Sequence, residues 1–310
     1  MKNNLWVKLI SVILIVASMV TLVACDSEEE ESGVSDSDIK DVIITTRAED
    51  LTPSENLTFV LAADKKSYQL KSVSKCKDEQ VVIPSTYTGT DGKPLPVTTI
   101  ALGAFKDNKT AVTVYIPDSV TKIAGGVSGA FEGAKSLTTV VCGSGITEIG
   151  NRAFADCANL KKIQLKEGIK KIGSYAFAGC TELETITIPD SVVDLGEACF
   201  QRCAKMTSVT LGKGLKKGVY TGKKVDKNGK VTSSGTYNSG FGKFTFYFCK
   251  NISTIKYTGT MAEWEKIKID VSCFLSTTMT SVVICSDGTV ELPKLEGQNE
   301  LPQEYVDSFN

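Results

Sequence analysis

The sequence predicts an α/β solenoid of stacked 23-residue repeats that share one parallel β-sheet, closed at its N-terminal end by a hairpin. Three observations predict it. Phe154, Phe177 and Phe200 recur every 23 positions, and Cys157, Cys180 and Cys203 keep the same interval; Phe131 lies 23 before Phe154 and Phe105 lies 26 before Phe131. Short runs of strand character sit between these blocks: Val82-Ile83-Pro84, Tyr115-Ile116-Pro117, Ile163-Gln164-Leu165, Ile186-Thr187-Ile188-Pro189, Val209-Thr210-Leu211 and Ile255-Lys256-Tyr257. From Pro117 the equivalent positions fall at Gly143, Lys166, Pro189, Gly212 and Thr258, at intervals of 26, 23, 23, 23 and 46, the last read as two periods. A unit this short cannot bury its own apolar side. Stacking pairs each strand with the next and merges the Ile, Leu, Phe and Cys side chains into one core.

Along the chain, residues 1–24 carry Lys2 and Lys8 and then an apolar run from Leu9 to about Val23, the pattern of a signal peptide. The run ends in Leu22-Val23-Ala24-Cys25, which resembles a bacterial lipobox. A lipidated Cys25 would tether the protein to a membrane; a plain anchor ending in Cys is the alternative. Residues 25–45 begin Asp26-Ser27-Glu28-Glu29-Glu30-Glu31 and hold seven acids up to Asp38, which predicts a self-repelling, disordered tether. These acids also resemble the surface-export signal of Bacteroidetes lipoproteins, with a solubilising spacer as the other reading. In 46–80, Leu57-Thr58-Phe59-Val60-Leu61 and Ser67-Tyr68-Gln69-Leu70 flank a polar turn and read as a capping hairpin. The solenoid spans 81–290. An insertion at 213–243 interrupts it, with eight Lys, one acid (Asp226) and Asn228-Gly229 at a hairpin turn. Thr260-Met261-Ala262-Glu263 is a capping box opening a short helix that bears Trp264. That Trp is read as buried, with an exposed ligand-stacking Trp as the alternative. The polar tail is 291–310.

The period lies in the leucine-rich-repeat range. The Ile-Gly-x-x-Ala-Phe-x-x-Cys-x-x-Leu block at 149–160 and 172–183, with Ile186-Thr187-Ile188-Pro189-Asp190-Ser191-Val192, resembles the BspA-like leucine-rich repeat proteins of bacterial surfaces. So does the stretch Tyr257–Ile267 followed by Ile284-Cys285-Ser286-Asp287-Gly288. The resemblance covers roughly residues 80–290 and departs at 213–243, where one repeat's signature is missing. It implies binding of host or neighbouring-cell proteins.

Composition narrows the chemistry. Lys and Arg total 35 against 36 Asp and Glu, so no basic footprint calls for a nucleic-acid partner. The chain has no His, which removes Ser-His-Asp and Cys-His catalysis and His-containing zinc sites. Of ten Cys, Cys25 is assigned to lipid and nine remain, an odd number without a Cys-x-x-Cys pair. They are read as buried free thiols, with disulfides as the first alternative and a metal site as the second. No catalytic residue, metal site or cofactor is expected.

Two surfaces are candidates for binding. Strand alternation puts Tyr115, Val141, Gln164, Thr187, Thr210 and Lys256 in one outward row, and Thr113, Thr139, Lys162, Thr185, Ser208 and Thr254 in the other. Tyr115, Gln164, Thr187, Thr210 and Lys256 are the candidate contacts for a protein or glycoprotein. On the basic hairpin, Lys223, Lys224, Lys227 and Lys230 are candidates for an acidic glycan or an acidic protein face, with a solvated loop as the bland reading. The expected function is recognition or adhesion by a membrane-anchored lipoprotein; glycan capture for nutrient uptake is the alternative, whose mark would be exposed aromatics.

Overall fold

A computed structural model describes residues 46–215, 218–225, 231–239, 242–267, 273 and 282–291, with 218–225 and 231–239 known by their backbone alone. The signal peptide, Cys25, the acidic tether, Lys227, Lys230 and the tail beyond residue 291 lie outside the described residues. The described residues from Arg47 onward belong to one compact unit.

The solenoid is built almost wholly of strands and turns. Short strands at Gln80–Val82, Thr113–Tyr115, Thr139–Val141 and Lys162–Gln164 pair in parallel, each in register with the same position of the next turn. The series resumes at Thr185–Thr187, Ser208–Leu211, Thr254–Tyr257 and Val282–Cys285, and an antiparallel strand, Gly288–Glu291, closes it. Between Gln164 and Thr187 the ladder is interrupted, so this first sheet consists of a four-stranded and a five-stranded part.

The single expected sheet is in fact one of two. Two-residue strands at Lys122–Ile123, Glu148–Ile149, Lys171–Ile172 and Asp194–Leu195 make a second parallel ladder, continuous with Pro94–Ile100 and the N-terminal hairpin Thr58–Leu61/Tyr68–Ser72. Two residues carry too little pattern to read as a strand. Among the described residues helix is confined to short turns, chief among them Met261–Trp264, whose Thr260 and Glu263 form the expected capping box. The class is therefore mostly β.

A third set of backbone bonds explains the Ala-Phe block. The amides of Arg152, Phe154 and Asp156 donate to the carbonyls of Ser174, Ala176 and Ala178 in the next turn, at 2.9, 2.7 and 2.7 Å. Arg152 and Asp156 are left-handed, with φ of 57° and 56°. These left-handed residues rotate alternate peptide planes, so every second amide points at the next turn. The same arrangement recurs around Phe105, Phe177, Phe200 and Phe246.

Phe105, Phe131, Phe154, Phe177, Phe200 and Phe246 form one column of fully buried rings. Successive centroids are 4.4, 4.7, 5.2, 5.4 and 5.7 Å apart, and the planes lie within 18° of parallel. The turns approach so closely that a Cβ on Gly196 would overlap the Ser174 amide, which is why Gly follows Ile149, Ile172 and Leu195 in the second sheet.

The 46-residue interval is not two periods. Phe200 stacks directly on Phe246, and Ser208–Leu211 pairs directly with Thr254–Tyr257. One long turn carries an insertion that leaves the stack, and within it Gly218–Val225 and Val231–Ser239 pair as an antiparallel hairpin. The repeat whose signature is missing does not exist; the length of the excursion coincides with a period.

Candidate functional site

The outward face of the first sheet is set by alternation. Val81, Val114, Val140, Ile163, Ile186, Val209, Ile255 and Val283 point into the main core. Their neighbours point the other way, and the register lines up Val82, Tyr115, Val141 and Gln164 in one part of the sheet, then Thr187, Thr210, Lys256 and Ile284 in the other. The row therefore runs as expected along the strands.

It divides into two stretches. Gln164, Thr187 and Lys256 are exposed and Thr210 is half-buried, with Ile284 exposed at the far end. Tyr115, by contrast, is 4 % exposed, flanked by Val82 at 6 % and Val141 at 4 %. The expectation of Tyr115 as an exposed anchor is corrected. The entering chain, Arg47 to Ser54, attaches to this end of the sheet. Ser54 donates its amide to the Val82 carbonyl at 2.9 Å and its hydroxyl accepts from the Val82 amide at 3.1 Å. Glu49 accepts from the Asp118 amide at 2.7 Å, and Arg47 forms an ion pair with Asp118 at 2.7 Å. Ala48 is buried beside them. Burial pushes the Tyr115 phenol above its ordinary value.

The other expected sites resolve as follows. Trp264 is buried, its ring 5.2 Å from that of Tyr257 in an edge-on contact. Lys223 and Lys224 lie on the first strand of the inserted hairpin, described by its backbone. All nine cysteines from Cys76 to Cys285 are buried free thiols. Those of Cys157, Cys180, Cys203 and Cys249 donate to the carbonyls of Phe131, Phe154, Phe177 and Phe200 at 3.0, 3.2, 3.2 and 2.9 Å, one turn back each time. Burial pushes Cys142 and Cys157 up to about 12, so neither supplies a thiolate at neutral pH. Among the described residues no group of three or more His, Cys, Asp or Glu is arranged to hold a metal ion, and no helix is long and apolar enough to cross a membrane.

One cluster escaped the sequence reading. Ala198, Phe244 and Tyr247 form a small core separate from the main one, with Tyr175 and Phe248 packed half-buried against it. Arg152 lies over the Tyr175 ring at 5.3 Å and Lys250 over the Phe248 ring at 5.5 Å. The signal was present: Tyr175 and Phe244 stand two positions before the column Phe, and Phe248 two positions after, where other turns carry Gly, Ala, Asp or Arg.

Comparison with known proteins agrees with this architecture. The family described as BspA type leucine rich repeat region matches residues 98–220 and 230–291 in six copies. A leucine-rich repeat protein of T. pallidum is similar in structure, with a TM-score of 0.52 and 26% identity over 72% of this chain and 92% of that one. A leucine rich cell surface protein from Faecalibacterium prausnitzii A2-165 gives a TM-score of 0.49 and 25% identity, covering 66% of this chain and 54% of its own length. No curated protein matches the chain. With the family repeats matched over more than half of its length and the stacked turns they encode laid out above, this chain belongs to the BspA type leucine-rich repeat family.

Proposed function

We propose that the protein is an exported, surface-held lipoprotein that recognises a macromolecular partner, a host or neighbouring-cell protein or glycoprotein, through the first sheet. The observation that carries this reading is the uncovered row Gln164, Thr187, Thr210 and Lys256, polar side chains in near-continuous register on a stacked scaffold. Repeat solenoids present extended surfaces of this kind. The row holds hydroxyls, an amide and an ammonium, without paired carboxylates for glycoside hydrolysis or a nucleophile beside a base. It is a surface for binding. Membership of the family supports a binding scaffold, and the N-terminal sequence supports export and attachment at Cys25. Affinity then rests on a few anchors within the face rather than on its whole area.

The test is a binding screen against matrix glycoproteins and a glycan array at two salt concentrations. One arm is a variant with Gln164→Ala, Thr187→Ala and Lys256→Ala. The other has residues 219–236 replaced by a short Gly-Ser turn. Salt-insensitive protein binding, weakened about tenfold or more in the row variant (~1.4 kcal/mol) and kept by the hairpin variant, is the expected result. Salt-sensitive binding lost with the hairpin and kept by the row variant would overturn it. Glycan capture is the second reading, and the half-exposed aromatics Tyr175 and Phe248 are what favour it.

A further inference from the structure

The aromatic cluster around Ala198 lies outside both the main core and the sheet-face row. Tyr175, Ala198 and Phe244 occupy the same position in three successive turns, each two residues before a ring of the phenylalanine column. Their amides belong to the third set of backbone bonds: Tyr175 donates to the Glu197 carbonyl and Ala198 to the Lys243 carbonyl, at 2.8 and 2.7 Å. They form a ledge with a small residue in the middle, walled by Tyr175 on one side and by Phe244, Tyr247 and Phe248 on the other. Tyr247 meets Phe244 edge-on at 5.8 Å and Phe248 at 4.4 Å.

The choice of residues is not what the backbone asks for. Tyr175, Phe244 and Phe248 are left-handed, with φ of 57°, 58° and 60°. Every turn of this type needs that conformation, and Gly, Asn or Asp adopts it at lower cost than a bulky ring. Gly103, Asp107 and Gly179 show the cheaper solution elsewhere in the same chain. Three aromatics in such positions, gathered around Ala198, depart from the cheaper choice, and departures of this kind concentrate at functional sites.

The surroundings carry charge of one predominant sign. Arg152, Arg202 and Lys250 are exposed, and Lys243 is half-buried at the edge of the cluster. Opposite them stand Glu132, 3.8 Å from Arg152, and Glu197 near Tyr175. Towards the Phe244 end the cations prevail, and there the chain returns from the lysine-rich insertion.

We propose that this ledge is a binding site for an acidic polysaccharide. Tyr175 and Phe248, half-buried, present to a sugar the ring surface left outside the cluster, backed by the buried Phe244 and Tyr247, with Arg152 and Lys250 lying over these same two rings. The guanidinium and ammonium groups beside them receive carboxylate or sulfate groups. The site is independent of the sheet-face row, on the turn side of the solenoid.

The test uses the full chain and heparin as probe, with neutral dextran as the uncharged control, followed by quenching of intrinsic fluorescence and by calorimetry at two salt concentrations. The variant is Tyr175→Asn with Phe248→Asn. Asn suits the left-handed conformation, which offsets part of the ring packing that is lost, and an unchanged far-UV signal and a cooperative unfolding transition check that the solenoid is kept. Heparin binding that weakens at least tenfold in this variant, with dextran not bound, supports the site. Lys250→Ala with Arg202→Ala should weaken heparin binding and lessen its salt dependence, whereas the Gln164, Thr187 and Lys256 variant should leave it unchanged. Equal heparin affinity in the wild type and the Asn variant overturns the proposal, as does the absence of any heparin binding. So does heparin binding abolished by replacing 219–236 while the Asn variant binds normally, which would assign it to the hairpin lysines alone.

Discussion

Phe177 sits between the rings of Phe154 and Phe200, 5.2 and 5.4 Å away, with no exposed surface. Phe177→Ala removes contact with both neighbouring turns and leaves a cavity that the backbone bonds on either side hold open. Its expected cost is about 3–5 kcal/mol, read as a lower midpoint in urea unfolding. Asp118 acts differently, through its charge. The Ser144 amide, donating at 2.6 Å, is the main cause that holds its carboxyl below the ordinary 3.8, against burial, with the Ser144 hydroxyl and the Arg47 guanidinium adding to it. A carboxyl depressed in this way stabilises the fold fully above 3.8 and loses that contribution as pH falls through its folded value. The stability gap between wild type and Asp118→Asn should therefore be present at neutral pH and close below about pH 4, in thermal melts across that range. At this scale the column of Phe and Cys was legible because repetition displays it. The left-handed positions were not, since Arg152, Tyr175 and Ala198 carry no mark of that conformation and adopt it because the neighbouring turn requires their amides.

The inserted hairpin tests how far an element can be separated from the stack. Neither the Phe200–Phe246 contact nor the pairing of Ser208 with Thr254 passes through it. Replacing 219–236 with a short Gly-Ser turn is expected to change the unfolding free energy by no more than about 0.5 kcal/mol, with the far-UV signal of the solenoid retained. A large loss would mean that the hairpin supports the turns it leaves. The hairpin itself was readable from Asn228-Gly229 between β-formers, whereas the turn count was not. An excursion of one repeat length is indistinguishable from a degenerate repeat until the strands on its two sides are seen to pair. The two-residue strands of the second sheet fall below any periodicity a sequence can show. Tyr115 illustrates a further limit: its alternation was read correctly, but the segment that reaches this end of the sheet is attached through Arg47 and Ser54, more than sixty positions upstream in the case of Arg47.

Over the whole molecule, each turn contacts its neighbours, and the ends decide whether stacking stops. At the C-terminal end Gly288–Glu291 pairs antiparallel with Val282–Cys285 and so ends the parallel series. Truncation after residue 281 should leave Thr254–Tyr257 as an open edge that templates further pairing. The expected outcome is association that grows with protein concentration, measured by light scattering on size-exclusion fractions; a strictly monomeric truncated chain would show that the edge is protected by other means. The architecture as a whole was legible at this scale because the repeat was, while the face available to a partner depends on which segments cross the sheet.

The thiol column has a consequence for how the chain reaches this state. Once stacked, each Cys is held against the carbonyl of the turn behind it and is inert. Before stacking, the same thiols are accessible, and in an oxidising compartment they are open to pairing with one another. Folding is then a race against oxidation. Each turn that closes withdraws one contestant, so redox conditions bear on the thiols while the turns assemble and hardly at all once they are stacked.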